Sequence, residues 1–240
     1  MTAETLQGRL RACGIALEPS ACERLARYHE LLLVWNEKMD LTAVTAEEDM
    51  LDRHYVDSLS PLAFPELLPE RARVIDVGTG AGFPGLPLAI ACPAWQVTLM
   101  DAQQKRLTFL KAVTEELQLT NVTLLHARAE DAARQDSCRE QFDWALARAV
   151  APLSVLAEYL LPFVRVGGTA LCWKGPALAA EEQAGRRAAF LLGGRLGKRY
   201  PFTLPDRDWQ HTLLCLQKEK PTPGKYPRKA GLPAKQPLGL

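Results

Sequence analysis

Four glycines lie close together in residues 76–87, which read Asp-Val-Gly-Thr-Gly-Ala-Gly-Phe-Pro-Gly-Leu-Pro. The apolar run of residues 74–77 precedes them, so we expect the loop to leave the carboxyl end of a strand and to open a helix. Glycine turns tightly with a positive φ and lets a ligand approach bare backbone. α/β sheets bind nucleotides at this position. The sequence therefore predicts a nucleotide-like cofactor at Gly78, Gly80 and Gly82.

The glycines alone do not decide which cofactor is bound. Residues 80–85 satisfy the G-x-G-x-x-G pattern of nicotinamide and flavin binders. In the frame that starts at Gly78, however, Phe83 occupies the third glycine position, and in the other frame Pro84 stands where the helix would begin. A nicotinamide-dependent oxidoreductase remains an alternative at this point.

Acidic residues near the ends of three predicted strands discriminate better. Asp101, which ends the second strand, can accept hydrogen bonds from both ribose hydroxyls, and Glu130, after the third, can face an adenine amino group. Asp76, in the first strand, suits a cationic amino-acid moiety and would repel a pyrophosphate. Together these carboxylates favour S-adenosylmethionine as the cofactor.

The elements that must position these residues follow from alternating apolar runs and amphipathic stretches. Such alternation predicts an α/β fold with a mostly parallel sheet and helices on both faces. Strands are expected near residues 73–77, 97–101, 122–126, 142–147 and 168–173, with two more at 195–203 and 211–217. Helices are expected near residues 84–92, 103–118, 151–162 and 177–191.

Three regions are predicted along the chain. Residues 1–70 form a helical extension, with capping-box patterns at Ser20-x-x-Glu23 and Thr45-x-x-Glu48. Residues 71–218 form the sheet domain. Residues 219–240 form a basic tail rich in proline and glycine.

The composition excludes several classes of protein. The chain has 240 residues, 48% of them hydrophobic, and no apolar run long enough to span a membrane, so we expect a cytoplasmic globular protein. The six cysteines show no CxxC pair and no metal-like spacing with the four histidines. We expect small, buried, reduced thiols and no metal.

The net charge of +1 conceals an uneven distribution. Residues 218–240 contain six basic residues against Glu219 alone. Such a tail should have little secondary structure and suits an anionic partner such as nucleic acid. A disordered, solubilising end explains the charge equally well.

Further residues limit the atom that could receive a methyl group. Exocyclic-amine methyltransferases carry an (Asn/Asp/Ser)-Pro-Pro-aromatic signature after the fourth strand, where residues 147–152 read Ala-Arg-Ala-Val-Ala-Pro. Methylation at pyrimidine carbon 5 needs a cysteine nucleophile, whereas Cys172 lies in an apolar strand. A ring nitrogen such as guanine N7 already has a free lone pair, so its methylation needs positioning and no general base.

The loop, Asp101 and the strand alternation resemble the class I, Rossmann-like methyltransferases. That resemblance implies a seven-stranded sheet whose last strand is antiparallel. Several segments, in order along the whole chain, further resemble the bacterial 16S ribosomal RNA guanine-N7 methyltransferases, the RsmG or glucose-inhibited division protein B family. The segments are Trp35-Asn36 with Leu41-Thr42, Arg53-His54-x-x-Asp57-Ser58, residues 76–87, Arg148-Ala149, Lys174-Gly175 and Tyr226-Pro-Arg-Lys-Ala-Gly-Leu-Pro.

The family resemblance implies roles for individual residues. Gly78 and Phe83 should contact S-adenosylmethionine, Ala129 and Glu130 its adenine side, and Arg148 its methionine end or the entering base. His54, Asp57 and Ser58 share one helix face by their spacing and should form a wall of the active site. Phosphate contacts with small-subunit ribosomal RNA are expected from Lys174, Arg228 and Lys229.

Three other functions remain open on sequence alone. They are a small-molecule methyltransferase, which the basic tail and the helical extension disfavour, an NAD(P)-dependent oxidoreductase, and a non-catalytic ribosome-binding factor. The set of Gly78, Asp101 and Arg148 argues against the last of these.

Overall fold

The computed structural model describes residues 1–240 and contains one seven-stranded sheet. Its strands are β1 (Arg73–Val77), β2 (Gln96–Asp101), β3 (Val122–His126), β4 (Phe142–Arg148), β5 (Val164–Lys174), β6 (Gly194–Thr203) and β7 (Gln210–Lys218). All seven predicted strands are present, and the boundaries of most differ by only one or two residues. The exception is β5, which begins four residues earlier than expected.

The strand order across the sheet is β3-β2-β1-β4-β5-β7-β6. Strands β1 to β5 pair in parallel, whereas β7 is antiparallel to both β5 and β6. The predicted antiparallel last strand is therefore confirmed. The order in which the strands are added reverses between β1 and β4, and ligands of open α/β sheets bind at such a switch point.

Helices cover both faces of the sheet, as the alternation predicted. The N-terminal region contains α1 (Ala3–Ala12), α2 (Pro19–Met39), α3 (Glu47–Met50), a π-helical turn (Leu51–Val56) and α4 (Asp57–Leu59), followed by two short 3₁₀ turns (Ser60–Ala63 and Pro65–Leu67). The remaining helices are α5 (Gly85–Ala91), α6 (Gln104–Glu116), α7 (Ala129–Ala132), α8 (Leu153–Leu160), α9 (Leu178–Leu191) and α10 (Leu232–Lys235).

The two predicted capping boxes are wrong. Helix α2 begins at Pro19, and α3 begins at Glu47 after Ala46; neither start has a side-chain cap. Proline at the first helical position lacks only an N–H group that would have no partner there, and its fixed φ suits the helix. Because α2 begins at Pro19, Ser20 lies inside the helix and cannot be its N-cap.

The N-terminal helices share their apolar core with the sheet. Leu25 and Tyr28 of α2 are fully buried in the same cluster as Phe109 of α6 and Leu99 of β2. The other face of the sheet packs against α8 and α9. The predicted extension thus covers one face of the sheet.

The C-terminal tail is packed against the domain, although only α10 within it is regular. Tyr226 and Thr222 are buried, and Arg139 donates to the carbonyl oxygens of both, at 2.9 and 2.7 Å respectively. Arg228 pairs with the fully buried carboxylate of Glu158 at 2.7 Å. The expectation of little secondary structure is confirmed, but the disordered-end alternative is wrong, because buried ion pairs and backbone hydrogen bonds hold the tail.

Two of the six cysteines depart from the expected burial. Cys13 and Cys92 are half-buried, while the other four are buried and all six are free thiols. Burial raises the pKa of the Cys172 thiol to about 12, which fits its place in the core. No helix has the length and apolar character needed to cross a membrane.

Candidate functional site

A cavity of about 720 Å³ opens at the carboxyl ends of β1, β2 and β4. Its volume falls within the range of small-molecule sites. The glycine-rich loop forms one wall, and the opposite wall comes from the π-helical turn, α4 and the start of β7. The residues that line it include Thr42, Arg53, His54, Asp57, Gly78, Gly80, Phe83, Asp101, Arg106, Arg148, Val150, Trp209 and His211.

Asp76 holds the glycine-rich loop in shape from behind. One oxygen of its buried carboxylate, Oδ2, accepts hydrogen bonds from Thr79 Oγ1 at 2.7 Å and from the Gly85 N–H at 2.8 Å. Burial raises the pKa of Asp76 to about 6. Oδ1 is buried without a hydrogen-bond partner, and the cofactor contact expected of Asp76 stays a prediction.

Gly82 also lies behind the cavity wall. Its φ is +108°, and a Cβ atom there would stand 2.8 Å from both the Tyr28 hydroxyl and Leu110. The Tyr28 hydroxyl donates to the carbonyl oxygen of Ala81. The predicted role of Gly82 in cofactor binding is therefore corrected: glycine is required here so that α2 can buttress the loop.

Asp101 lies at the cavity edge with both carboxylate oxygens already engaged. Oδ1 accepts from the Gln103 N–H at 2.8 Å, and Oδ2 accepts from the Gly80 N–H at 3.0 Å and from Arg106 at 3.2 Å. A carboxylate has about four acceptor positions in all. These bonds fix the carboxylate and leave it acceptor capacity toward the cavity.

A second cavity of about 410 Å³ lies beside the first. Ala129, Glu130, Tyr159 and Gly231 line it, and it shares other wall residues, namely Gly78, Asp101, Ala102, Gln103 and Val150, with the larger cavity. Glu130 Oε1 accepts from the Gly231 N–H at 2.8 Å, so the C-terminal tail closes this side. The shared walls make the two cavities one elongated site.

Phe83 forms an aromatic floor beneath the larger cavity. The His54 ring stacks on it with the centroids 4.7 Å apart, and the Arg148 guanidinium lies 5.4 Å from its centroid. Burial, and next the charge of Arg148, lower the pKa of His54 to about 4. His54 is therefore neutral at physiological pH, and its Nε2 lies 2.8 Å from the Thr42 hydroxyl.

Asp57 connects the two sides of the cavity. Its Oδ2 accepts from Arg148 at 2.8 Å, its Oδ1 lies 2.9 Å from His211 Nδ1, and its carbonyl accepts from the Trp173 indole. Arg148 also donates to the carbonyl oxygen of Arg53. The Asp57 carboxylate thus joins α4 to β4 and β7, and its backbone carbonyl joins α4 to β5.

Lys174, Arg228 and Ser58 do not face the cavity either. Lys174 is buried and pairs with Glu181. Arg228 is held by Glu158, and Ser58 is fully buried with its hydroxyl donated to the His54 carbonyl oxygen. The phosphate-binding roles of Lys174 and Arg228 and the wall position of Ser58 are corrected, since ion pairs or a hydrogen bond within the protein already engage these groups. Lys229 is exposed.

The sequence reasoning did not identify Trp209 and His211 as site residues. Both line the cavity, with their rings 4.3 Å apart in an edge-to-face arrangement. Their period-two spacing at the start of a predicted strand was an available signal that both side chains face the same side. That side could not be identified without knowing that β7 lies next to β5.

The site does not suit a pyrophosphate. Pyrophosphate-binding loops offer free N–H groups at a helix start. Here the Gly85 N–H, which opens α5, already donates to the Asp76 carboxylate, and that carboxylate would repel a phosphate. The histidine, cysteine and carboxylate side chains contain no group of three or more that could hold a metal ion.

The strand order and the cofactor-sized cavity define a class I, Rossmann-like methyltransferase fold. Solved structures share it: TYW2 of M. jannaschii in complex with AdoMet matches with a TM-score of 0.55 at 14% identity, covering 75% of this chain and 80% of that one. A 16S rRNA (adenine(1408)-N(1))-methyltransferase from Catenulisporales acidiphilia matches with a TM-score of 0.51 at 15% identity, covering 62% and 86%.

The sequence comparisons narrow the class to one family. Residues 21–205 match the GidB family, described as rRNA small subunit methyltransferase G. Proteins named ribosomal RNA small subunit methyltransferase G are 48% identical in Alkaliphilus metalliredigens, over 94% of both chains, and 46% identical in Leuconostoc citreum, over 99% of this chain and 100% of that one. The chain belongs to this family, and the resemblance inferred from the sequence motifs is confirmed.

Proposed function

We propose that this protein transfers the methyl group of S-adenosylmethionine to N7 of a guanine in 16S ribosomal RNA. The observation that carries the proposal is the elongated site, with bare glycine backbone at one wall and an anchored carboxylate, Asp101, at its edge. Membership of the rRNA small subunit methyltransferase G family supports the choice of substrate.

The residues present fit S-adenosylmethionine along the length of the site. Asp101 offers its remaining acceptor position to a ribose hydroxyl, and the cavity at Ala129 and Glu130 suits the adenine. Gly78 and Gly80 let the ligand approach the backbone closely. When bound, the cofactor supplies an electrophilic methyl group on a sulfonium centre.

The residues around Phe83 fit a target atom that loses no proton when it is methylated. N7 of guanine attacks with a lone pair that is already free, so the chain need only orient the base and stabilise charge. Arg148, His54 and Asp57 form a fixed network at this end of the site. We assign them positioning roles.

An RNA partner fits the cationic groups near the opening. Arg53 is exposed at the cavity wall, and Lys229 is exposed in the tail. Phosphate contacts from such side chains supply most of the sequence-independent affinity for nucleic acid. We propose that these two residues, and not Lys174 or Arg228, contact the phosphates.

The direct test uses purified protein, labelled S-adenosylmethionine and small ribosomal subunits from cells that lack the protein. We expect label in 16S ribosomal RNA and, by mass spectrometry of the digested RNA, a single 7-methylguanosine. Unlabelled RNA from subunits and from free 16S RNA alike would refute the substrate assignment. Tight NADPH binding without S-adenosylmethionine binding, measured by calorimetry, would favour the oxidoreductase instead.

Two matched variants make this test specific to the proposed site. Asp101→Asn should weaken S-adenosylmethionine binding by about 10- to 100-fold, because it removes a charged acceptor worth roughly 1.5–3 kcal/mol. Asp143→Asn alters an aspartate at the amino end of β4, away from the cavity at the carboxyl ends of the strands. Like Asp101, Asp143 accepts a hydrogen bond from a backbone N–H. This variant should leave cofactor affinity unchanged.

A further inference from the structure

A histidine and an aspartate form a hydrogen-bonded pair in the larger cavity. His211 Nδ1 lies 2.9 Å from Asp57 Oδ1, and both side chains line the cavity. The Asp57 side chain is only 2% exposed, whereas that of His211 is 21% exposed. The carboxylate therefore lies behind the imidazole, which is the more accessible member of the pair.

The pair fixes which ring nitrogen carries hydrogen. An ionised carboxylate only accepts hydrogen bonds, so Nδ1 must be the donor. In a neutral imidazole the other nitrogen, Nε2, then has a free lone pair. No protein group hydrogen-bonds Nε2, and this nitrogen is not among the buried atoms. It is therefore accessible from the cavity.

The surroundings hold this arrangement rigidly. Arg148 binds the other oxygen of Asp57 at 2.8 Å, so the carboxylate is anchored on both sides. Trp209 packs edge-to-face on the His211 ring. A carboxylate that orients an imidazole in this way is the arrangement that tunes histidines for proton and hydrogen-bond chemistry.

We propose that Nε2 of His211 accepts a hydrogen bond from N1–H of the target guanine, and that Asp57 acts as the positioning residue. This proposal rests on the proposed guanine-N7 methylation. It adds a catalytic residue in the strand β7, where the sequence motifs indicated none. His211 is not needed as a general base, since the attacking nitrogen carries no proton.

The hydrogen bond would favour the transition state over the ground state. As the N7 lone pair bonds to the methyl carbon, the carbon–sulfur bond breaks and its electron pair stays on sulfur. The purine ring gains the positive charge that sulfur loses, and N1–H becomes a stronger donor. An acceptor at N1–H therefore binds the developing cation more tightly than the neutral base.

The same geometry would discriminate guanine from adenine. N1 of adenine has a lone pair and no hydrogen, so it would face the Nε2 lone pair without a bond. A site built to accept a hydrogen bond rejects a ligand that cannot donate one. Protonation of Nε2 would turn the acceptor into a donor and abolish this preference.

The ionisable groups facing this site come from several elements. Among these ionisable groups, Asp57 lies within hydrogen-bond distance of the His211 imidazole. On β6, the strand partner of His211 is Phe202, which does not ionise. The other ionisable groups that line the cavity are Arg53 and His54 of the π-helical turn, Asp101 of β2, Arg106 of α6 and Arg148 of β4. Of these, burial and Arg148 keep the pKa of His54 at about 4, so His54 stays neutral above pH 5.

Three variants of the full chain test the proposal on small ribosomal subunits. His211→Ala should lower kcat by about 100-fold, the scale of one lost hydrogen bond that stabilises transition-state charge, with the KM for S-adenosylmethionine changed less than about 3-fold. His211→Gln keeps an acceptor oxygen and should recover about 10-fold of that loss. Gln210→Ala, at the exposed neighbouring position, should behave like the wild type.

The pH profile separates hydrogen bonding from a structural role. Wild-type kcat should fall at acidic pH, because a protonated Nε2 cannot accept a hydrogen bond. The His211→Gln variant should lose this decline, because an amide does not titrate. A folded His211→Ala protein with near wild-type kcat, or an unchanged decline in His211→Gln, would overturn the proposal. Absence of wild-type methylation would instead refute the function on which it rests.

Discussion

Few side chains at the site act alone. Phe83 stacks against both His54 and Tyr28, with ring centroids 4.7 and 5.3 Å apart, and is also approached by the Arg148 guanidinium. Asp57 is shared by Arg148 and His211. Each of these residues is therefore fixed by contacts to more than one element, which is how a site keeps its geometry.

Burial gives His54 and Asp76 opposite effects on stability. The pKa of His54 falls from 6.5 to about 4, so between these values the unfolded chain binds a proton that the folded chain does not. The pKa of Asp76 rises from 3.8 to about 6, so the folded chain binds the extra proton there. The His54 contribution is lost as the pH falls, whereas the Asp76 contribution is lost as it rises.

We expect the His54→Gln variant to show how much His54 contributes to the pH dependence of stability. The free energy of unfolding of the wild type minus that of the variant should fall by about 3 kcal/mol between pH 7 and pH 4, because each pKa unit corresponds to about 1.4 kcal/mol. Urea unfolding at each pH measures the difference, and the Asp76 contribution cancels in it.

The corresponding Asp76→Asn comparison provides the control for this prediction. The free energy of unfolding of the wild type minus that of Asp76→Asn should increase as the pH falls from 6 toward 4. This is the opposite direction to the change expected for His54→Gln. Differences that do not vary with pH in either variant would show that the two groups titrate normally in the folded protein.

At the scale of elements, two structural features shape the site, and neither is visible in the linear sequence. The π-helical turn Leu51–Val56 widens the helix where Arg53 and His54 meet the cavity, and such turns are often found at functional sites. The end of the loop between β6 and β7 and the start of β7 bring Trp209 and His211 to the same cavity. Asp52 joins the two elements, since it binds Arg207 of that loop at 3.1 Å and Arg9 of α1 at 2.7 Å.

The C-terminal tail is held by ion pairs that compete with any role in RNA binding. The Glu158 carboxylate is fully buried and accepts from both the backbone and the guanidinium of Arg228. Because these donors are directed at Glu158, Arg228 anchors the tail. Lys229, one residue later, is exposed.

We expect Glu158→Gln to lower the free energy of unfolding by about 2–3 kcal/mol. Removing one partner of a buried ion pair costs roughly 3–5 kcal/mol, and the 20% exposure of the Arg228 side chain reduces the cost through solvent screening. Urea unfolding measures the effect. The double variant Glu158→Leu with Arg228→Met should recover most of the loss, and no recovery would contradict the ion-pair explanation.

The neighbouring arginine and lysine offer a matched test of RNA contact. Lys229→Ala should reduce the slope of log affinity against log salt by about 1, as expected for one lost phosphate contact. Arg228→Ala should lower stability and leave that slope unchanged. The reverse result would restore Arg228 as a phosphate ligand.

At the scale of the whole molecule, the N-terminal helices and the sheet form one folding unit. Leu25, Tyr28 and Leu32 of α2 are fully buried in the cluster that contains Phe109 and Leu110 of α6. Tyr28 also supports the glycine-rich loop through the Ala81 carbonyl oxygen. The helical region is therefore part of the support for the cofactor site.

We expect the full chain to unfold in a single cooperative transition and a chain of residues 71–240 to show none. Deleting the first seventy residues exposes apolar side chains on α5 and α6, and each one loses roughly 1.5–3 kcal/mol of burial. Circular dichroism during urea unfolding distinguishes the two. A shortened chain that unfolds cooperatively and still binds S-adenosylmethionine would show that the sheet domain is independent.

The sequence by itself determined the class of fold, because periodicity of apolar residues is a local property that each strand and helix carries within its own segment. It also indicated Gly78 and Asp101, which line the cavity, since a glycine-rich turn and a strand-end carboxylate are recognisable within a few residues. The order of motifs along the chain was sufficient to indicate the family that the comparisons confirmed.

Only the tertiary structure decided which charged and polar groups remain available. Lys174 and Arg228 have basic side chains like that of Lys229, but ion pairs with Glu181 and with the buried Glu158 already engage them. The pairing of His211 with Asp57 joins residues 154 positions apart. Such pairings depend on strand order and helix packing, and no local pattern encodes them, so the site became complete only when the chain folded.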